Sequence, residues 1–156
     1  WWAGSVVFRG PAFFSPEGAI QWDLWMLVNM QGAYYTLTTG DGELSFLQVD
    51  SRFIDNIDFR DHIIRSLREH GAGGGFDLAV KATETRTYEV GGESVDFTFL
   101  KAQDRTTGRD RRRVDGSVSG PHGPVMISLW LDEENWDPQM VDDMIASIHT
   151  DPPANP

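Results

Sequence analysis

The 156-residue chain contains no cysteine. This absence excludes disulfides, thiolate zinc sites, iron–sulfur clusters and thiol nucleophiles. It is compatible with any compartment, and it suits an exported protein because such a protein then has no stray thiol to oxidise. The sequence also lacks a run of about eighteen consecutive apolar residues, so we expect no transmembrane helix within it.

Motifs that would identify an enzyme are missing as well. The sequence has no Gly-x-Ser-x-Gly elbow of a serine hydrolase, and the glycine-rich segment 71–75 has neither the lysine nor the serine of a phosphate loop. The four histidines lack the His-x-x-x-His spacing of helix-borne zinc sites: His62, His70, His122 and His149. We therefore predict a protein that is not an enzyme and has no catalytic, cofactor-binding or metal-binding residues.

An acidic group near the end of the chain offers oxygen atoms to a cation. It comprises Asp132, Glu133, Glu134 and Asp137. Its spacing lacks the alternating oxygen ligands and the central glycine of a calcium loop. Asp137 is better explained as the cap of a helix, so we predict no metal here.

Positive charge is scarce. Lys and Arg number 13 against 24 Asp and Glu, which gives a formal net charge of −11. Binding to nucleic acid or to an anionic membrane surface is therefore disfavoured, because phosphate attraction needs a basic face. Hydrophobic residues make up 40% and aromatic residues 12% of the chain. This composition predicts a single packed domain.

The chain starts at Trp1-Trp2 without a methionine, so we interpret it as a processed or trimmed product. Tryptophan favours the membrane interface, and a tryptophan pair is what remains when a chain is cut just after a membrane anchor. The hypothesis is therefore an N-terminal tether and an extracytoplasmic or cell-envelope location. The alternative is that both side chains pack on the domain.

Local patterns divide the first half of the chain. We expect residues 1–18 to be irregular, because they are rich in Gly, Pro and Phe. Residues 19–31 alternate like a strand, yet Ser15-Pro16-Glu17 is a good helix start and Gly32 a good helix end. Both interpretations stay open, and the helix is preferred. Tyr34–Thr38 and Leu44–Val49 then predict a hairpin.

Two amphipathic helices are expected. One follows Asp58 and runs to His70, with an apolar stripe formed by Phe59, Ile63, Ile64 and Leu67. The other starts after the cap Asp137, with Pro138 in the first helical position and Trp136 placed to contact Val141. Its buried stripe is predicted to contain Met140, Val141, Met144, Ile145 and Ile148.

Between the helices, the strand patterns 79–90, 95–100, 111–119 and 125–131 are joined by short turns, which predicts an antiparallel meander. The expected fold class is therefore α+β, a mostly antiparallel sheet packed by two amphipathic helices. We assign 19–149 to one domain and 150–156 to a disordered tail.

This arrangement resembles the PsbP/Mog1/DcrB-like superfamily of small α/β/α sandwiches. The resemblance rests on the helix Phe59–His70 before a polar strand, on the meander through Val95–Leu100 and Val114–Ser119, and on Val125–Leu131 followed by a helix ending at Ile148. It covers roughly residues 33–149 and includes no diagnostic motif. It implies a non-enzymatic accessory protein and transfers no functional residue.

Two groups are candidates for binding a partner. The first consists of Arg105, Arg109, Arg111, Arg112 and Arg113, which can bind carboxylates or phosphates in bidentate fashion but can equally form a solvated surface balanced by nearby acids. The second consists of Trp22, Trp25, Met26 and Met30, which can line a groove for a partner helix or belong to the core.

These observations favour a non-catalytic protein-binding or accessory domain whose partner is another protein of unknown identity. The alternative is a hydrolase or transferase with a site assembled from distant carboxylates, because paired acids need no local motif. The acids considered for that site are Asp96, Asp104, Asp115 and Glu134.

Overall fold

A computed structural model of the chain describes residues 2–3, 6–7, 14–24, 28–37, 42–50, 77–120 and 123–150. Strands account for most of these residues. The short strands are β1 (Trp2–Ala3), β2 (Val6–Val7) and β10 (His149–Thr150). The long strands are β3 (Phe14–Leu24), β4 (Val28–Leu37), β5 (Gly42–Asp50), β6 (Leu78–Val90), β7 (Glu93–Asp104), β8 (Asp110–Gly120) and β9 (Gly123–Asp132).

The long strands form one antiparallel sheet in the order β3-β4-β5-β9-β8-β7-β6. Two meanders, β3–β5 and β6–β9, meet where β5 pairs with β9, with Leu44 opposite Leu129. The short strands form a second sheet in the order β1-β2-β10, which joins the two ends of the described chain.

Side chains alternate between the two faces of the large sheet. The first face carries the hydrophobic core. One row of cross-strand neighbours on this face runs Phe99, Val114, Leu129 and Leu44 from β7 to β5, and all four are buried. Further buried members include Phe46, Phe97, Val118, Val125, Ile127 and Leu131.

Helix α1 (Pro138–Ala146) packs on the first face. Asp137 caps it, because its carboxylate accepts from the backbone N–H groups of Gln139 and Met140. Of the predicted stripe, Val141, Met144 and Ile145 are buried within the helix. Met140 is only partly buried, and Ile148 is buried beyond the end of the helix. A 3₁₀ turn, Glu133–Asn135, connects β9 to this helix.

Two aromatic residues attach α1 to the sheet. Trp136, which was expected to contact Val141, packs edge-on against Phe99, with ring centroids 6.2 Å apart. Tyr88 on β6 donates a hydrogen bond of 2.6 Å to Asp142 on the helix. The pKa of Tyr88 is raised to about 12, first because the phenol is partly buried and then because it bonds to a carboxylate.

A glycine makes room for one of the largest core side chains. Gly116 on β8 is covered by the ring of Phe97, and a Cβ atom at residue 116 would overlap that ring. Phe97 is fully buried. The absence of a side chain at this position therefore lets the Phe97 ring pack directly against β8.

The predicted fold class, an α+β sandwich in which two amphipathic helices pack on the sheet, was wrong. In the described residues the architecture is a mostly antiparallel sheet with a single helix of seven or more residues, α1. Residues 19–31 are also corrected, because their described residues belong to β3 and β4 and not to a helix. The alternation of their apolar residues was the correct signal. The helix expected over 58–70 lies outside the described residues.

The predicted meander and the hairpin before it are confirmed. Tyr35 pairs with Leu44, and the strands from β6 to β9 follow the expected order. Residues 1–18, expected to be irregular, contain β1, β2 and the start of β3. Of the tail 150–156, Thr150 belongs to β10, and 151–156 lie outside the described residues.

Candidate functional site

The second face of the sheet, opposite the core, combines charged, aromatic and small polar side chains. One row of cross-strand neighbours on this face runs Leu100, Arg113, Trp130 and Glu43 from β7 to β5. All four side chains are half-buried. They lie in the middle of a seven-stranded sheet, so their backbone positions are rigidly held.

A buried ionic group lies at the end of this face where β7, β8 and β9 come together. Arg111 is 3.4 Å from the carboxylate of Asp104 and 3.5 Å from that of Asp132. The side chains of these three residues are 7%, 4% and 5% exposed, respectively. Arg109, which is 56% exposed, contacts Asp132 from the solvent side at 3.2 Å. Two arginines thus balance two carboxylates, as burial of charge requires.

The Asp104 carboxylate is held in its ionised form. Burial by itself raises its pKa, but the backbone N–H groups of Thr106 and Thr107 and the charge of Arg111 lower the pKa below its ordinary value. A general acid needs the opposite shift. Arg111, Asp104 and Asp132 therefore act as an ionic clamp, a set of charge pairs that holds β7, β8 and β9 together.

Next to the clamp, two further contacts fix the centre of the second face. The Arg111 guanidinium lies over the Trp130 ring, 4.7 Å from its centroid. Arg113 contacts Asp115 at 2.9 Å, and Ser128 donates to the same carboxylate at 2.8 Å. Trp130 and Arg113 are consequently held in place, and both residues stay partly exposed.

The five candidate arginines do not lie on one surface. Arg111 and Arg113 belong to the second face, whereas Arg112 belongs to the first, where it bonds Glu133 at 2.5 Å and lies over the Trp136 ring. Arg105 and Arg109 are in the β7–β8 turn, and Arg105 contacts Asp77 at 3.0 Å. The alternation of side chains along a strand would have separated Arg112 from its neighbours, because Val114 and Val118 mark the core face.

The aromatic candidates are placed only in part. Trp22 and Met30 lie directly opposite each other on β3 and β4. Trp25 and Met26 lie outside the described residues. Whether these side chains line a groove stays a prediction.

The acids considered for a catalytic site lie in separate surroundings. Asp96 accepts a hydrogen bond from Thr87 at 2.6 Å, Asp104 belongs to the ionic clamp, and Asp115 bonds Arg113 and Ser128. Glu134 is exposed in the 3₁₀ turn. Among the described residues, no three His, Asp or Glu side chains are grouped closely enough to hold a metal ion.

Sequence reasoning missed Glu43 and Trp130. Glu43 lies opposite Trp130, and burial raises the pKa of its carboxyl above the ordinary value. Its Oε1 atom is buried without a hydrogen-bond partner among the described residues. For Trp130 the signal was available, since it lies between the core residues Leu129 and Leu131 in the predicted strand 125–131. Glu43 precedes the predicted strand Leu44–Val49, and no sequence pattern singled it out.

Neither a scan against protein-family models nor a search of curated proteins finds a match to this chain. The resemblance to the PsbP/Mog1/DcrB-like superfamily therefore stays a prediction. Within the described residues, no helix has the length and apolar character needed to cross a membrane.

Proposed function

We propose that this chain is a non-catalytic protein-binding or accessory domain that contacts its partner through the second face of the sheet around Trp130. The observation that carries the proposal is the Trp130 ring, held against Arg111 yet only half-buried at the centre of a rigid sheet. Tryptophan and arginine supply most of the binding energy in many protein interfaces.

The neighbours of Trp130 fit such a contact. Leu100 and Met126 on the same face are half-buried apolar side chains, and Arg113 adds a guanidinium that can reach a carboxylate or carbonyl of the partner. A small apolar centre with polar surroundings is the usual composition of a protein interface.

The acids of this face also support binding over chemistry. Asp104 and Asp132 are neutralised by arginines, and Asp115 is bonded by Arg113 and Ser128. Because these carboxylates are already paired, their role is to hold the strands in register. The cell-envelope location stays a prediction.

A capture experiment tests the proposed surface. Wild-type protein is immobilised beside two variants that add the same charge, Met126→Arg on the second face and Ala146→Arg at the exposed end of α1. We expect one partner to be captured by the wild type and by A146R and to be lost with M126R.

The outcome is read by mass spectrometry, after circular dichroism has shown that both variants are folded. Capture of the same partner by all three proteins would contradict the assigned surface. Turnover of an ester, phosphate or glycoside substrate by the wild type would contradict the non-catalytic function itself.

A further inference from the structure

The last strand of the large sheet has an open side. β6 is 13 residues long and pairs with β7 on one side, while its other side has no neighbouring strand in the described part of the chain. It contains no proline, and residues Lys81 to Thr85 are all exposed. An exposed edge of this length is a template for another strand.

The sequence of β6 is complementary to its own reverse around Thr85. One step away lie Glu84 and Arg86, which carry opposite charges, and two steps away lie Thr83 and Thr87. Glu84, Arg86 and Tyr88 face the core side of the sheet, whereas the three threonines face the other side. We propose that a second copy of this chain pairs antiparallel with β6, with Thr85 opposite the partner's Thr85.

The symmetry of such a pair fixes its contacts. A two-fold axis perpendicular to the sheet at Thr85 places Glu84 opposite the partner's Arg86 and Arg86 opposite the partner's Glu84. It also places Thr83 opposite the partner's Thr87. Opposite charges and paired threonines directly across from each other stabilise antiparallel strands. The core faces of both copies lie on the same side of the joined sheet.

Neighbouring registers are less favourable. Moving the axis to Glu84 places two glutamates directly opposite each other, and moving it to Arg86 does the same with two arginines. Like charges in directly opposed positions destabilise a strand pair. The charge pattern therefore selects the Thr85 register over the adjacent ones.

Glu84 and Arg86 already form an ion pair within the chain. Arg86 bonds Glu84 of its own chain at 2.8 and 3.1 Å and lies over the Phe99 ring, 4.5 Å from the centroid. Both stay accessible, at 41% and 60% exposure for Arg86 and Glu84. A second copy would extend this pair into a ring of four alternating charges.

A bulge limits the length of the contact. The register of β6 against β7 shifts between Val80 and Ala82, and Lys81 at this point bonds Asp110. Regular pairing is thus restricted to Ala82 and the residues that follow. Because a single strand pair buries less surface than a standard interface, the dimer is expected to be weak and dependent on concentration. The inference rests on β6 and is independent of the proposed function.

Sedimentation equilibrium of the full chain tests it. We expect the wild type to show a monomer–dimer equilibrium, and Glu84→Arg or Arg86→Glu to weaken self-association by about tenfold or more, since each symmetric pair becomes repulsive. When E84R and R86E are mixed, each opposed pair is again oppositely charged, and a heterodimer should form. In each variant, residues 84 and 86 carry the same charge and cannot form an ion pair within one chain. Association that returns in the mixture must therefore come from ion pairs between chains.

Glu93→Arg is the matched control, because it changes the charge equally at an exposed position outside the paired segment. It should leave the dimer unchanged. If E84R does not fold, Thr85→Lys gives a second route, since it opposes two lysines on the axis. A wild type that stays monomeric at the highest soluble concentration, a dimer indifferent to E84R, R86E and T85K, or a mixture without heterodimer would overturn the proposal.

Discussion

Gly116 and Phe97 show how one missing side chain shapes the core. Because the Phe97 ring occupies the space above Gly116, Gly116→Ala forces the ring from its position. We expect this substitution to lower the free energy of unfolding by about 1–3 kcal/mol, the usual cost of overpacking. Urea denaturation measures the change.

A double-mutant cycle identifies the cause of that loss. Phe97→Leu should destabilise the protein by itself, because it leaves a cavity. In the Phe97→Leu background, G116A should cost clearly less than in the wild type, since the ring is gone. Equal costs in both backgrounds would show that the alanine acts on the strand backbone and not on Phe97.

At the residue scale, local chemistry was predictable and contacts across strands were not. The cap Asp137 was identified because its partners, Gln139 and Met140, follow within three residues. The partners of Arg111 come from two other strands, and their identity depends on the strand register. No pattern within residues 105–113 contains that information.

At the scale of elements, helix α1 depends on its first turn. Asp137→Ala removes the acceptor for two backbone N–H groups, so we expect a loss of about 0.5–2 kcal/mol in the free energy of unfolding. The control is Glu134→Ala, which removes an exposed carboxylate three residues earlier and should change stability by less than about 0.5 kcal/mol. Chemical denaturation of both variants makes the comparison, and equal losses would contradict the capping role.

The strand and helix predictions were right where the local sequence signals agree and wrong where they disagree. Helix α1 and the β6–β9 meander have local signals that agree, namely caps, turns and a single periodicity. Residues 19–31 carry two signals that disagree, since Ser15-Pro16 favours a helix and the apolar alternation favours strands. Tertiary pairing with β5 decides between them, and it is invisible in a local window.

On the scale of the whole molecule, ionisable groups make stability depend on pH in two opposite ways. The pKa values of Asp104 and Glu133 are lowered. For Asp104, burial raises the pKa, but backbone hydrogen bonds from Thr106 and Thr107 outweigh it. For Glu133, the hydrogen bond from Arg112 is the largest cause. Their contribution is present above the ordinary carboxyl pKa and is lost as the pH falls through the lowered values. The pKa of Glu43 is raised by burial, so its ionised form opposes folding above that pKa, and this cost disappears on protonation.

Glu43→Gln separates these two effects. We expect the variant to be more stable than the wild type at neutral pH, by less than about 1 kcal/mol because water screens a half-buried carboxylate. The advantage should shrink as the pH falls and vanish near about pH 3, where an ordinary glutamate carboxyl is almost fully protonated. Thermal unfolding at pH 7 and pH 3 checks this, and a gain that is equal at both pH values would contradict it.

The pairing of β5 with β9 has a consequence for the order in which the protein is made. Ser45 donates to the carbonyl of Ser128, 83 residues later in the chain. A ribosome needs about 4–17 s to add 83 residues at roughly 5–20 residues per second. During that interval β5 has been synthesised and β9 has not. Leu44 and Phe46 therefore lack the neighbouring strand that helps to bury them. We therefore expect the nascent chain to expose apolar side chains of β5, and to be prone to aggregation, until β9 leaves the ribosome.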